Sequence, residues 1–162
     1  MMNRRRLMGA LAGAAAAPGL ARAAEVEAAD IPSRFAEALS AHDIDRFGAL
    51  FAEDYVNHQR SAAAPAPSPG TPPKKATVAF FAARLAGLPD LKVSVETSLA
   101  SGDKVAASFI YEGTHQGVYL GVAPTGKKLR FTSCDIFRIA GGRIVEHWGM
   151  GDIAGILAQL KG

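Results

Sequence analysis

Hydrophobic positions recur at helical spacing in the first half of this chain and alternate in the second. Over residues 31–41, Ile31, Phe35 and Leu39 stand four apart with Ala38 beside them, which predicts one apolar helix face. His42 and Asp43 interrupt that face, and Asp43 is placed to cap a second helix over 44–55. Its buried side would carry Ile44, Phe47, Leu50 and Phe51. A short segment, "YVNHQ" (55–59), follows as a strand. The stretch 61–73, "SAAAPAPSPGTPP", has five prolines and no period, so it reads as a loop. Helical spacing returns through Val78, Phe81 and Leu85, and Pro89-Asp90 ends it.

From Leu91 to Met150 the pattern is that of strands. "LKVSVETSLA" alternates, Ser101-Gly102-Asp103 turns, and "KVAASFIYEGT" pairs back. A glycine-rich connection, "HQGVYLGVAPTG", leads to a last hairpin built from "KKLRFTSCDIFRI" and "RIVEHWGM". "DIAGILAQL" closes the chain as a short helix capped by Asp152. Helices grouped first and meandering strands later give an α+β architecture. A curved antiparallel sheet wrapped on the N-terminal helices would enclose an apolar interior suited to a small molecule.

The turn of the last hairpin decides which residues share a face. A two-residue Gly141-Gly142 turn sets Asp135 opposite Trp148 and scatters charge over both faces. A three-residue Ala140-Gly141-Gly142 loop sets Asp135 opposite His147 instead. It gathers Phe131, Ser133, Asp135, Phe137, Ile139, Val145 and His147 on one face. The other face then takes Ile136, Ile144 and Trp148, with Arg138 and Glu146 as a diagonal ion pair. The three-residue loop is the expected register, because it leaves Asp135 and His147 as an acid–imidazole pair on a largely apolar surface. Such a pair suits general acid/base work. The alternative is an aspartate held by backbone or serine hydrogen bonds beside a histidine that merely packs.

Composition changes the picture at the N-terminus. Residues 1–23 open with Arg4-Arg5-Arg6, continue as a Gly/Ala/Leu run and end in Ala21-Arg22-Ala23, a small-x-small cleavage site. This is the pattern of a twin-arginine export signal, with residues 24–162 as the mature domain and the periplasm or another exported location as the destination. The apolar run is too short to span a bilayer, which takes about 20 residues. Of eighteen basic residues four lie in the leader, so fourteen remain against fifteen acidic ones, a net charge of −1. The basic pI belongs to the leader, and no basic patch is left for nucleic acid. The single cysteine, Cys134, can form no internal disulfide. It points away from Asp135 and lacks a base, so nucleophilic catalysis has little support. His58, His115, His147 and Asp135 come from separate segments without an HxxxH-type pair, so no metal is expected.

Five stretches, "YVNH" (55–58), "LPDLKV" (88–93), "GTHQGVYLGVAPTG" (113–126), "DIFRIAGGRIVEHW" (135–148) and "DIAGILAQL", stand in a telling order. Over about residues 31–160 the chain resembles the SnoaL-like polyketide cyclases of the NTF2-like superfamily. The resemblance implies a conical α+β barrel, usually dimeric through its sheet, with a cavity opening near the helices. It also implies aldol ring closure without metal or organic cofactor, an aspartate acting as acid and base while His and Asn position the substrate. Asp135 matches that aspartate, with His147 as its partner. Many relatives also carry an acid directly after His-Trp, where this chain has Gly149.

The expected substrate-binding residues are Tyr55, Asn57, His58, His115, Phe137 and Trp148. Asn57 and His58 would donate to a carbonyl or enolate, or else tie down the turn before the proline loop. Tyr55 would donate to a carbonyl, or be a half-buried tyrosine at a strand start. His115 is a ligand contact or a rim residue, and Trp148 packs against a helix or a partner subunit if it does not stack on substrate. Two functions follow: a cofactor-free enzyme acting on a hydrophobic carbonyl compound, or a non-catalytic exported protein that binds such a molecule. A homodimer is expected in either case.

Overall fold

The computed structural model describes residues 18–59 and 67–162. The elements run α1 (Pro18–Ser40), α2 (Ile44–Ala49), β1 (Phe51–Asn57) and α3 (Pro73–Gly87). Then come β2 (Lys92–Ser101), β3 (Lys104–Thr114), β4 (Lys128–Ala140), β5 (Arg143–Gly151) and α4 (Ile153–Lys161). The five strands form one curved, unclosed sheet in the order β1-β5-β4-β3-β2. β1 lies parallel to β5, and the other neighbours are antiparallel.

The inner face of the sheet and the helices share one aromatic core. Phe35 of α1 sits at its centre, with ring centroids 5.0 Å from Phe47, 5.5 Å from Phe81, 5.0 Å from Phe109 and 5.6 Å from Phe137. Ile31, Ala38 and Leu39 complete the α1 face that the sequence spacing marks. α1 begins thirteen residues before the expected start at Ile31 and continues through Pro32. Its earlier turns are anchored, since Ala28 is fully buried and the Glu27 carboxylate accepts the Gly142 N–H at 3.2 Å. Pro18–Ala23 of the expected leader form the first turns of α1; residues 1–17 lie outside the described residues. So do residues 60–66 in the proline-rich stretch.

Two boundaries differ from the sequence reading. α2 ends at Ala49 and residues 51–55 are strand, not helix, with Phe51 and Tyr55 turned inward. Pairing decides this: the Leu50 carbonyl accepts the Ile144 N–H at 2.7 Å, which draws the chain alongside β5. On α3 the buried face runs through Thr77, Phe81, Arg84 and Gly87, with Val78 and Leu85 at its margins. A rotation of one residue relative to the expected face thus brings an arginine inside.

The last hairpin also corrects its expected register. Ala140 pairs with Arg143 across a two-residue Gly141-Gly142 turn, and both glycines have positive φ, 56° and 69°. Left-handed conformation at both positions matches strand twist and favours glycine. Val145 is then extruded as a bulge between the Ile139–Ile144 and Arg138–Glu146 pairs. The bulge restores the parity that the shorter turn would lose. Ile144 rather than Val145 faces the core, and His147 and Asp135 still share the inner face. Asp135 stands opposite Gly149, and Phe137 opposite His147. Arg138 and Glu146 are directly opposite rather than diagonal.

Candidate active site

A line of polar side chains crosses the aromatic interior. The His147 Nε2 lies 2.8 Å from Asp135 Oδ1, and both residues are buried. The Ser133 hydroxyl donates to Asp135 Oδ2 at 2.5 Å, two residues along the same face of β4. On the far side of the imidazole, the Tyr55 hydroxyl lies 3.1 Å from His147 Nδ1. Burial pushes the Tyr55 phenol well above its ordinary value of 10.0, opposed by the Thr77 hydroxyl and reinforced by the charge of Asp135. The phenol therefore keeps its proton. When it donates to Nδ1, the imidazole carries its own proton on Nε2, directed at the Asp135 carboxylate.

Gly149 makes the contact possible. A Cβ at this position would stand 2.2 Å from Asp135 Oδ1 and 2.5 Å from His147 Nε2. The cross-strand neighbour of the aspartate is thus a residue without a side chain, and the pair occupies the space that one would fill. Phe137 covers the imidazole, with ring centroids 5.0 Å apart.

The other expected residues fall in three places. Asn57 is half-buried, donates to the Thr77 hydroxyl at 3.3 Å and accepts the Gln59 N–H at 2.9 Å. It joins the line through Thr77. His58 and Trp148 stand away from it, stacked on each other with centroids 4.5 Å apart and planes within 5°. His58 Nε2 meets the Glu146 carboxylate at 2.8 Å, and the same carboxylate accepts Arg138 Nε at 2.6 Å. His115 is fully buried near the end of β3. Its Nδ1 accepts the Thr125 N–H at 3.2 Å, which leaves Nε2 as a donor, and Nε2 has no partner among the described residues.

The His58–Glu146 contact has a pH signature. Its hydrogen bonds to His58 and Arg138 hold the Glu146 carboxyl below its ordinary value of 4.5. A carboxyl lowered on folding stabilises the fold above its unfolded value and ceases to do so as pH falls through the lowered one. We expect Trp148 fluorescence to change in an acid titration in a step centred below pH 4.5, and Glu146→Gln to abolish that step.

Sequence reasoning did not reach Thr77, Tyr111, Arg84 or Tyr119. Tyr111 stands two residues beyond Phe109 on the inner face, and its hydroxyl lies 3.4 Å from Ser133 Oγ. Burial raises this phenol above its ordinary value of 10.0, against the nearby charge of Arg84. Arg84 Nε donates to the Tyr119 hydroxyl at 3.0 Å. The one available signal was an arginine three residues after Phe81, on an otherwise apolar helix side.

Among the described residues no group of three or more His, Cys, Asp or Glu side chains could hold a metal ion. No helix among them is long and apolar enough to cross a membrane. An open concavity of about 470 Å³ lies on the sheet's outer face, beside Leu99, Cys134, Ile136 and Met150. The inner line of polar groups is packed around by aromatic rings.

The model of the SnoaL-like polyketide cyclase family matches residues 29–160, most of the chain and every element that builds the site. The chain belongs to the SnoaL-like polyketide cyclase family. IdmH of Streptomyces antibioticus, a candidate polyketide cyclase, is 33% identical with a TM-score of 0.70, over 83% of this chain and 98% of that one. AclR of Streptomyces galilaeus, a candidate hydroxylase, is 25% identical with a TM-score of 0.71, over 85% and 82% of the two chains. A SnoaL-like protein of Jannaschia sp. CCS1, 21% identical with a TM-score of 0.69 over 93% and 99%, shares the fold. A search of the curated proteins gives no match. A shared scaffold does not by itself fix a reaction, which depends on the site.

Proposed function

We propose that this SnoaL-like protein performs cofactor-free acid/base chemistry on a hydrophobic carbonyl compound, such as aldol cyclisation or isomerisation. The observation that carries the reading is the buried Asp135–His147 contact, oriented at one end by Tyr55 and at the other by Ser133. In this reading Asp135 takes a proton from the carbon next to a carbonyl. His147 and Ser133 hold the carboxylate in place, Tyr55 holds the imidazole, and the proton returns to the product. Atoms balance within the substrate, and no outside oxidant is needed. Residues 1–23 direct export in the same reading, so a secreted mature chain would begin at Ala24.

Aldol addition and double-bond isomerisation both conserve mass. Incubating the protein with a linear poly-β-ketone and with a β,γ-unsaturated ketone should give an isomer of unchanged mass, resolved by chromatography and NMR. Tight binding with unaltered substrate in both cases would instead establish a carrier.

The outer face supports a homodimer. Leu99 and Met150 are 76% and 78% exposed, and Ile136 beside them is 44% exposed, an apolar patch on an open sheet. Ile136→Asp combined with Leu99→Asp should give a folded monomer in sedimentation velocity where the unaltered chain gives a dimer. A monomer in both would dismiss the dimer.

A further inference from the structure

Arg84 is a cation without an anion. It is only 5% exposed, and among the described residues no carboxylate lies within salt-bridge distance of it. A guanidinium keeps its charge throughout the physiological range, so burying one is costly unless something compensates. Four aromatic rings do so in part: the guanidinium carbon lies 5.0 Å from the Phe80 centroid, 4.8 Å from Phe81, 4.8 Å from Tyr111 and 5.3 Å from Phe131. Of its five N–H donors, Nε donates to the Tyr119 hydroxyl, and the other four have no acceptor among the described residues.

The positioning is specific. Tyr119 belongs to the loop between β3 and β4, which is clamped on the end of α3 by the Gly87 carbonyl accepting the Gln116 and Gly117 N–H groups. A Cβ on Gly117 would stand 2.2 Å from the Ala86 carbonyl oxygen, so the loop approaches as closely as backbone allows. Directly after the end of β3, His115 Nε2 is buried and has no partner among the described residues. A buried N–H without a partner calls for an acceptor that the described residues do not supply. The hydroxyls of Tyr111 and Ser133 then link the Arg84 cage to Asp135. Phe80, half-buried, is the wall of the cage nearest solvent.

We propose that Arg84 binds a carboxylate on the ligand, so that this protein takes carboxylic acids whose apolar body extends toward Asp135 and His147. A planar carboxylate matches the guanidinium fork in two parallel hydrogen bonds, and the surrounding rings accept the apolar body. The proposal rests on the acid/base reading for the far end of the ligand, but the carboxylate contact does not depend on turnover.

The test uses octanoate, benzoate and 2-naphthoate beside their methyl esters, which keep the apolar body and remove the charge. Calorimetry should show at least one acid binding roughly 10- to 100-fold more tightly than its ester, as a charged hydrogen-bond pair warrants. Arg84→Met should erase that preference without lowering Tm, because an apolar chain replaces an unpaired buried cation. In the unaltered protein, the Arg84 Nε–H resonance should shift saturably with the acid and not with the ester, a readout that needs no variant to fold. Asp135→Asn should keep the acid preference while losing proton chemistry, so the two ideas fail separately. Equal binding of acid and ester, binding of neither, an acid preference that survives in Arg84→Met, or an unmoved Arg84 resonance would overturn the proposal.

Discussion

Asp135→Asn is expected to fold, to bind a hydrophobic carbonyl compound as the unaltered protein does, and to turn it over roughly 100- to 10,000-fold more slowly. The amide has the shape of the carboxylate and can keep a hydrogen bond to Ser133 or His147, so the surrounding geometry is conserved. What it lacks is a basic oxygen that can carry a proton. Steady-state rates and ligand titration on the same preparation separate the two effects. A variant that retains its rate would remove Asp135 from the chemistry. One that loses binding and rate together would make Asp135 a structural residue.

Gly149→Ala should damage the fold and the site together. The new Cβ would lie 2.2 Å from Asp135 Oδ1 and 2.5 Å from His147 Nε2, so the acid–imidazole contact cannot survive unchanged. Overpacking typically costs about 1–3 kcal/mol, and separating a buried pair costs about 3–5 kcal/mol when one partner is left alone. A loss of about 3 kcal/mol and a fall in Tm of about 10 °C follow. Activity should fall with the pair. Asp135→Ala makes room at the same spot, so the second substitution should add far less in that background, a coupling that a double-mutant cycle measures. Additive effects would mean that the backbone at 149, not the pair, suffers.

Gly149 also bears on the family pattern. An acid at 149, directly after His147 and Trp148, would project where the Asp135–His147 contact sits. In this chain the carboxylate comes from the neighbouring strand.

Much of this fold is legible because its periodicities are clean. Ile31, Phe35 and Leu39 mark the α1 face at four-residue spacing, and all three are buried. Alternation over β3 and β4 places Phe109, Phe131, Asp135 and Phe137 on one side without ambiguity. The shared face of Asp135 and His147 is legible too, though by a different route from the one the pattern suggested. Glycine pairs permit more than one turn, and a bulge at Val145 compensates for the shorter one. No local signal announces that bulge, because its cause is the packing of Ile144 into the core.

Long-range partners were hidden for the same reason. Residues 51–55 carry a helical spacing of Phe51 and Tyr55, yet they become strand once β5 offers a parallel edge. Thr77 and Arg84 enter the interior because α3 is rotated by one residue, and the sheet and helices against which it packs set that rotation. His58 follows the inward Tyr55 and half-buried Asn57, but its ring stacks on Trp148 and binds Glu146 instead of joining the Asp135 line.

The most direct test of the acid/base reading is deuterium uptake next to a carbonyl. A hydrophobic ketone or β-keto ester is held in D2O with the protein, and loss of its α-proton signal is followed by NMR. The reading predicts uptake well above the buffer rate in the unaltered protein, and at the buffer rate in Asp135→Asn. Uptake at the same rate in both proteins, or none above buffer in either while the compound demonstrably binds, would contradict it and leave a binding protein.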